Sequence, residues 1–101
     1  MAKTSAIQKN LRRRKLVARY RAKRSFLKSL VMDKSKQFEE RFGATMKLAK
    51  IPRNSSRTRV RNRCMVTGRS RGNYAQFSLS RIIFREMASN GLIPGVTKAS
   101  W

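Results

Sequence analysis

Apolar positions recur along this chain in helical rhythm twice, lose that rhythm, and regain it near the end. Ile7 and Leu11, then Leu16, Tyr20, Leu27 and Val31, recur at spacings of four or seven. With no Gly or Pro in the first 42 residues and an abundance of Leu, Ala, Arg and Lys, this predicts a long helix with a thin apolar stripe. Thr4 or Ser5 is its candidate N-cap. Phe38, Phe42 and Met46 then recur at i, i+4 and i+8 and predict a short amphipathic second helix. Ser35 is its candidate cap, Glu39 and Glu40 suit the positive end of its dipole, and Gly43 weakens it. Packing on the first helix as a hairpin is the plainer use of its apolar face, and docking a protein neighbour is the alternative. Pro52 ends the segment and biases Ile51 toward extended backbone.

Beyond Arg63 the texture turns extended. Residues 63–67 and 73–77 flank the glycine-bracketed loop Gly68-Arg69-Ser70-Arg71-Gly72, which predicts a small β-hairpin with Arg69 and Arg71 at its tip. A two-stranded hairpin alone is marginal in water and needs support. A helix over about Ser80 to Ser89 supplies it, with Ser78 or Ser80 as cap, an apolar face of Leu79, Ile82, Ile83 and Met87, and Asn90-Gly91 as its stop. Phe77 is expected to pack in that core; Tyr74 could pack there or stack on a base. The fold class is therefore mainly α with a small β-hairpin. The expected shape is extended, with a helical part over 1–50 and a compact module with a tail over 51–101.

Charge changes this picture most. The 101 residues hold 26 Lys and Arg against 4 Asp and Glu, a net charge of +22. That excess disfavours a compact free chain and calls for a partner that supplies counter-charge on binding. Residues 1–32 carry eleven cations and no acid, whereas a solvated helix surface mixes signs. Residues 53–71, RNSSRTRVRNRCMVTGRSR, hold seven arginines and no acid. Arginine presents a planar fork of donors that matches two phosphate oxygens, so arginines strung along irregular backbone form a polyanion clamp. The long basic helix, the arginine string and the small hairpin suit irregular folded RNA better than duplex DNA read by a recognition helix.

The candidate RNA-binding residues are Arg12, Arg13, Arg14 and Arg19 on the first helix; Arg53, Asn54, Ser55, Arg57, Arg59, Arg61 and Arg63; Arg69 and Arg71; and Lys98. Enzymatic chemistry has little basis: there is no His, the single Cys64 has no partner, and the acids are too few for a paired site. No disulfide can form within the chain, and no glycine-rich nucleotide loop is present. The acid-free start has the composition of an organellar transit peptide, but the basic pattern resumes downstream and reads as mature protein. The apolar runs are too short for a membrane span, and the first helix is too thinly apolar for a membrane-active one. A terminal Trp101 is expected to pack on RNA or protein. No homo-oligomer is expected.

The run Pro52-Arg53-Asn54-Ser55-Ser56, the stretch Arg61-Asn62-Arg63-Cys64, then Thr67-Gly68-Arg69, Ser80-Arg81-Ile82, Arg85-Glu86, and the ending Pro94-Gly95-Val96-Thr97-Lys98-Ala99-Ser100-Trp101 closely resemble small-subunit ribosomal protein fourteen of bacteria and organelles. The likeness is specific over 51–101 and looser over 1–50. It implies a nonenzymatic structural protein of translation, bound to ribosomal RNA in the head of the small subunit, in cytoplasm or organelle. It also implies contacts with small-subunit proteins three, ten and nineteen, and a part in head assembly and in shaping the region near the aminoacyl-tRNA site. The runner-up is a basic RNA-binding or nucleoid-associated protein outside the ribosome.

Shorter members of that family carry a zinc ribbon of the form C-x2-C-x12-C-x2-C. The corresponding residues here are Cys64, Thr67, Ser80 and Ile83, one thiol where a thiolate zinc site needs four ligands. The resemblance is thus to a longer, zinc-free branch, with no cofactor and no metal, in which the C-terminal module resembles a zinc ribbon without its ion. Ile83 and Met65 are expected to fill the vacated space, with Cys64 a small buried hydrophobe.

Overall fold

A computed structural model describes residues 1–101 as three helices, two short strands and two 3-10 turns. In chain order these are α1 (Thr4–Met32), α2 (Phe38–Lys50), 3-10 turns at Arg53–Ser55 and Arg57–Arg59, β1 (Asn73–Tyr74), β2 (Leu79–Ser80) and α3 (Arg81–Ser89). The chain divides into two compact units, Gln8–Val60 and a second formed by Met1–Ile7 with Arg61–Trp101.

The Gln8–Val60 unit is a helical hairpin continued by the arginine-rich turns. Its core consists of Leu27 from α1, Ala44 from α2 and Ile51 just beyond it, with Tyr20, Leu30, Val31 and Leu48 packed around. The apolar spacing of α1 therefore has a structural use: Tyr20, Leu27 and Val31 of the stripe form the seam of the hairpin. The turn between the helices is fastened twice. Asp33 Oδ1 accepts from both the amide and the hydroxyl of Ser35, so Ser35 serves this turn and does not cap α2. Those hydrogen bonds hold the Asp33 carboxyl below its ordinary value, with Lys36 and Arg41 adding to the effect. Arg41 Nε donates to the Val31 carbonyl, satisfying one of the four acceptors that a helix end leaves over. The N-cap position of α2 is Gln37, without a side-chain bond; Glu39 and Glu40 occupy the first turn as expected.

In the other unit the strands differ from the expected pair. Asn73 faces Ser80 and Tyr74 faces Leu79 in antiparallel register, so the hairpin loop is 75–78, not 68–72, and Arg69 and Arg71 are not at its tip. Ser78, at φ 54, makes the left-handed step that closes this loop. Residues 64–69 form a tight knuckle instead of a strand: the Cys64 amide donates to Arg69 O, and the Gly68 amide donates back to Cys64 O. Gly68 has φ +74, a conformation glycine adopts without steric cost. The side chain of Ile7 lies directly against it, and the Ala2 amide donates to Thr67 O, which fastens the chain's first residues to the knuckle.

Helix α3 begins where expected, with Ser80 as N-cap accepting from the Ile83 amide, and ends at Asn90 followed by Gly91 at φ +72. The centre of its packing is Phe84, whose ring meets Tyr74 edge-on at 5.0 Å and Phe77 at 4.8 Å. Tyr74 and Phe77 keep much of their surface exposed, so the aromatic group is a half-open cluster in place of the expected closed core. The buried side chains here are Leu79 and two small ones, Cys64 and Ser80.

Candidate nucleic-acid interface

The arginines that follow α2 are set by a short repeat, Pro-Arg-Asn-Ser, Ser-Arg-Thr-Arg, Val-Arg-Asn-Arg, beginning at Pro52, Ser56 and Val60. Pro52, Ser56 and Val60 take extended backbone, with ψ 133, 128 and 128, and a 3-10 turn follows each of the first two. Amides of Ser55 and Ser56 close the first turn on Pro52 O and Arg53 O; those of Arg59 and Val60 close the second on Ser56 O and Arg57 O. The arginine string is thus a chain of closed turns whose Arg53, Arg57 and Arg59 side chains are exposed to solvent.

Arg24 of α1 holds this string in place. Its Nε donates to Ser55 Oγ at 2.8 Å and a terminal nitrogen to Pro52 O at 3.3 Å, while Ser55 Oγ itself donates to Pro52 O. Ser55 is only 1% exposed, so of the predicted contact residues it is the one whose hydroxyl is already committed inside the protein. Arg13 reaches Arg59 O at 3.4 Å, and Arg59 reaches Asn54 Oδ1 at 3.3 Å. Arg12, Arg14 and Arg19 are exposed along α1, and the Arg19 guanidinium lies 5.8 Å from the Tyr20 ring centre.

In the other unit, Arg63, Arg69 and Arg71 line one open cleft of about 420 Å³ together with Ser70, Thr67 and Ser80. Two of them are steadied by a backbone acceptor, Arg63 donating to Gly68 O at 2.9 Å and Arg69 Nε to Arg71 O at 3.1 Å, and nearby Arg61 Nε donates to Ser70 O at 3.1 Å. Arg63 Nε is buried without a partner. Three cations converging on one concavity is the arrangement that a phosphate oxygen cluster fits. Lys98 lies apart from them, on a second cleft between the C-terminal tail and α3. Trp101 is fully exposed.

Cys64 sits at the base of the knuckle, 3% exposed. Burial pushes its thiol up, but donation from the Thr67 hydroxyl and from the amides of Thr67, Ser80 and Val66 outweighs it and brings the group from 9.0 to about 6. It is therefore a sulfur acceptor in a nest of donors, more than the small hydrophobe expected. Thr67 Oγ1 is buried and has no hydrogen-bond partner of ordinary geometry. Zinc does not fit this donor set: one thiol stands among two hydroxyls and an isoleucine, and no three His, Cys, Asp or Glu side chains gather. Met65 is 78% exposed and fills no space here, contrary to expectation; Ile83 is half-buried beside Ser80.

Two positioning residues escaped the sequence reading. Arg24 looked like one more cation on a basic helix, and only its pairing with buried Ser55 distinguishes it. Asn73 donates to both Asn62 O and Arg69 O, at 3.0 and 2.8 Å, and thereby ties the arginine string to the knuckle. Its place just after Gly72 gave a turn signal and no more.

Residues 47–100 match the family model described as "Ribosomal protein S14p/S29e". Over its full 101 residues the chain is 59% identical to the "Small ribosomal subunit protein uS14" of Chelativorans, covering all of both chains. Identity to the proteins of the same name from Rhizobium meliloti and Nitrobacter hamburgensis is 57% and 55%, again over the whole of both chains. The match runs through the helical hairpin as well as the knuckle and α3, and on it the chain belongs to the bacterial uS14 family of ribosomal proteins.

Proposed function

We propose that this chain is a structural, nonenzymatic constituent of the small ribosomal subunit in the cytoplasm, bound to ribosomal RNA through its arginine turns and cleft. The observation that carries this reading is full-length identity of 55% to 59% with proteins whose name places them in that subunit. The physical chemistry supports it. A net charge of +22 needs a polyanion, and Arg53, Arg57 and Arg59 project from turns closed by their own hydrogen bonds, so binding orders little additional backbone. Most of these side chains contact phosphate and set position, since Arg forks match its oxygens irrespective of sequence. Arg12, Arg13, Arg14, Arg19, Asn54, Arg61, Arg63, Arg69, Arg71 and Lys98 complete the RNA surface, while Ser55 acts by holding Arg24 and the first turn.

Within the particle the chain sits in the head, near the aminoacyl-tRNA site, beside small-subunit proteins three, ten and nineteen. Sedimentation tests the reading. The chain is expected in small subunits after a high-salt wash; recovery only with chromosome or membrane would overturn the ribosomal assignment. Binding to the isolated RNA is expected to weaken by roughly three to five orders of magnitude between about 50 and 200 mM salt if around 6 to 10 phosphates are neutralised. Arg57→Ala is expected to shallow that salt slope by roughly one phosphate's worth, and an unchanged slope would remove Arg57 from the interface.

A further inference from the structure

The cleft between α3 and the tail segment 96–99 has a volume of about 740 Å³. Clefts that hold a small organic ligand measure ~300 to 1,000 Å³. Its lining differs from that of the arginine cleft in two ways. The Tyr74 ring forms part of the wall; it is 49% exposed and meets Phe84 edge-on, which leaves ring surface open to a planar partner. Arg81 and Arg85 of α3 and Lys98 of the tail also border the cleft, and no hydrogen bond or ion pair within the chain engages their side chains. Arg63 and Arg69, by contrast, are each tied to a main-chain carbonyl. Glu86 is the one acid against these three cations.

We propose that this cleft seats one unstacked nucleotide of ribosomal RNA, its base against the Tyr74 ring and its phosphates among Arg81, Arg85 and Lys98. Folded RNA displays such nucleotides in loops and bulges, where splayed bases stack on aromatic side chains. A ring beside unengaged cations matches both halves of a nucleotide, the flat base and the charged backbone. Other occupants satisfy only one half. A phosphate alone leaves the ring unused, and an apolar protein segment would desolvate three cations without pairing them. A second copy of the chain would bring another +22 toward them. The cleft therefore makes a base contact, whereas the arginine turns grip phosphate; one can discriminate among RNA sequences and the other sets position.

This inference rests on the ribosomal reading, and its test separates the two. A photoreactive azidophenylalanine replaces Tyr74 in one strain and Arg57 in another, and small subunits are purified after irradiation. Recovery of the protein in those subunits, with position 57 labelling ribosomal RNA, upholds the ribosomal reading by itself. Position 74 is expected to label an unpaired nucleotide of the same RNA. Label from position 74 on a protein or on base-paired nucleotides only, or no label, would overturn the proposal alone; absence of the protein from the subunits would overturn both. Binding of the full chain to the isolated RNA gives a second readout. Tyr74→Leu is expected to weaken it about tenfold or more with an unchanged salt slope, because stacking releases no counterions. Tyr74→Phe, which keeps the ring, is expected to bind as wild type, and Arg85→Ala to shallow the slope by roughly one phosphate's worth. Wild-type affinity in Tyr74→Leu, or equal weakening in Tyr74→Phe, would also overturn the proposal.

Discussion

The two units present arginines by opposite means. In Gln8–Val60 an apolar seam of Leu27, Ala44 and Ile51 fixes two helices, and one side chain, Arg24, then fastens the arginine turns to that frame. In the unit containing Arg61–Trp101 Leu79 is the one large apolar side chain that is buried; the other buried residues, Cys64, Gly68 and Ser80, are small, and main-chain hydrogen bonds close the knuckle. The lesson is that a strongly basic chain can order its cations by side-chain burial or by backbone closure. The two differ in what breaks them: the first fails when volume is removed, the second when volume is added.

Leu27→Ala gives the largest expected effect. Removing this buried side chain leaves a cavity in the only apolar seam of its unit and is expected to cost about 2 to 5 kcal/mol. Amide hydrogen exchange on the full chain in the assembled particle should show lost protection in α1 and α2, with 64–69 unchanged; equal loss in both units would erase the distinction drawn above. Gly68→Ala tests the converse. A Cβ there would stand 2.6 Å from Ile7 Cδ1 at a backbone φ of +74, so about 1 to 3 kcal/mol of strain and overpacking is expected. Its protection loss should be confined to the knuckle and the residues it holds.

Arg24→Ala comes next, at about 1 to 3 kcal/mol, because it strips the charged partner from a buried hydroxyl. Its signature is faster proteolysis or exchange at 52–59 with the helices intact. The last effect is a pH dependence. Since the folded Cys64 thiol titrates near 6 and the unfolded one near 9.0, ionisation stabilises the folded knuckle increasingly as pH rises through that window, and the contribution is gone below about 6. Exchange protection at 64–69 should therefore grow from pH 6 to 9, and Cys64→Ser should flatten that slope while leaving α1 and α2 as they were.

What could be read from the sequence follows the same division. The helices of the hairpin were legible because apolar spacing reports directly on the face that must be buried, and α3 because Ser80 and Asn90-Gly91 mark its ends. The strand pairing was not. Residues 63–67 have the β-branched and apolar texture of a strand, but Gly68 and the donors around Cys64 close them into a knuckle, and Asn73 and Tyr74 then pair with Leu79 and Ser80. Phe84 was passed over because an α3 face drawn through Leu79, Ile82, Ile83 and Met87 leaves it out, although the two aromatic rings ahead of it need a third to lean on. For the site, composition singled out the arginines as a class. It could not separate those that face outward from Arg24, nor reveal that Ser55 faces inward, because both facts depend on a contact between residues about 30 positions apart.

The fastening of Ala2 to Thr67 and of Ile7 to Gly68 has a consequence in time. Ala2 leaves the synthesising ribosome about 65 residues before Thr67, which at roughly 5 to 20 residues per second is a wait of several seconds. During that interval the hairpin of α1 and α2, whose partners lie close in sequence, can already close, whereas the knuckle lacks its other half. Maturation thus has a built-in order. A chain interrupted between Val60 and Gly68 would carry a finished helical hairpin and a leading end with nothing to hold.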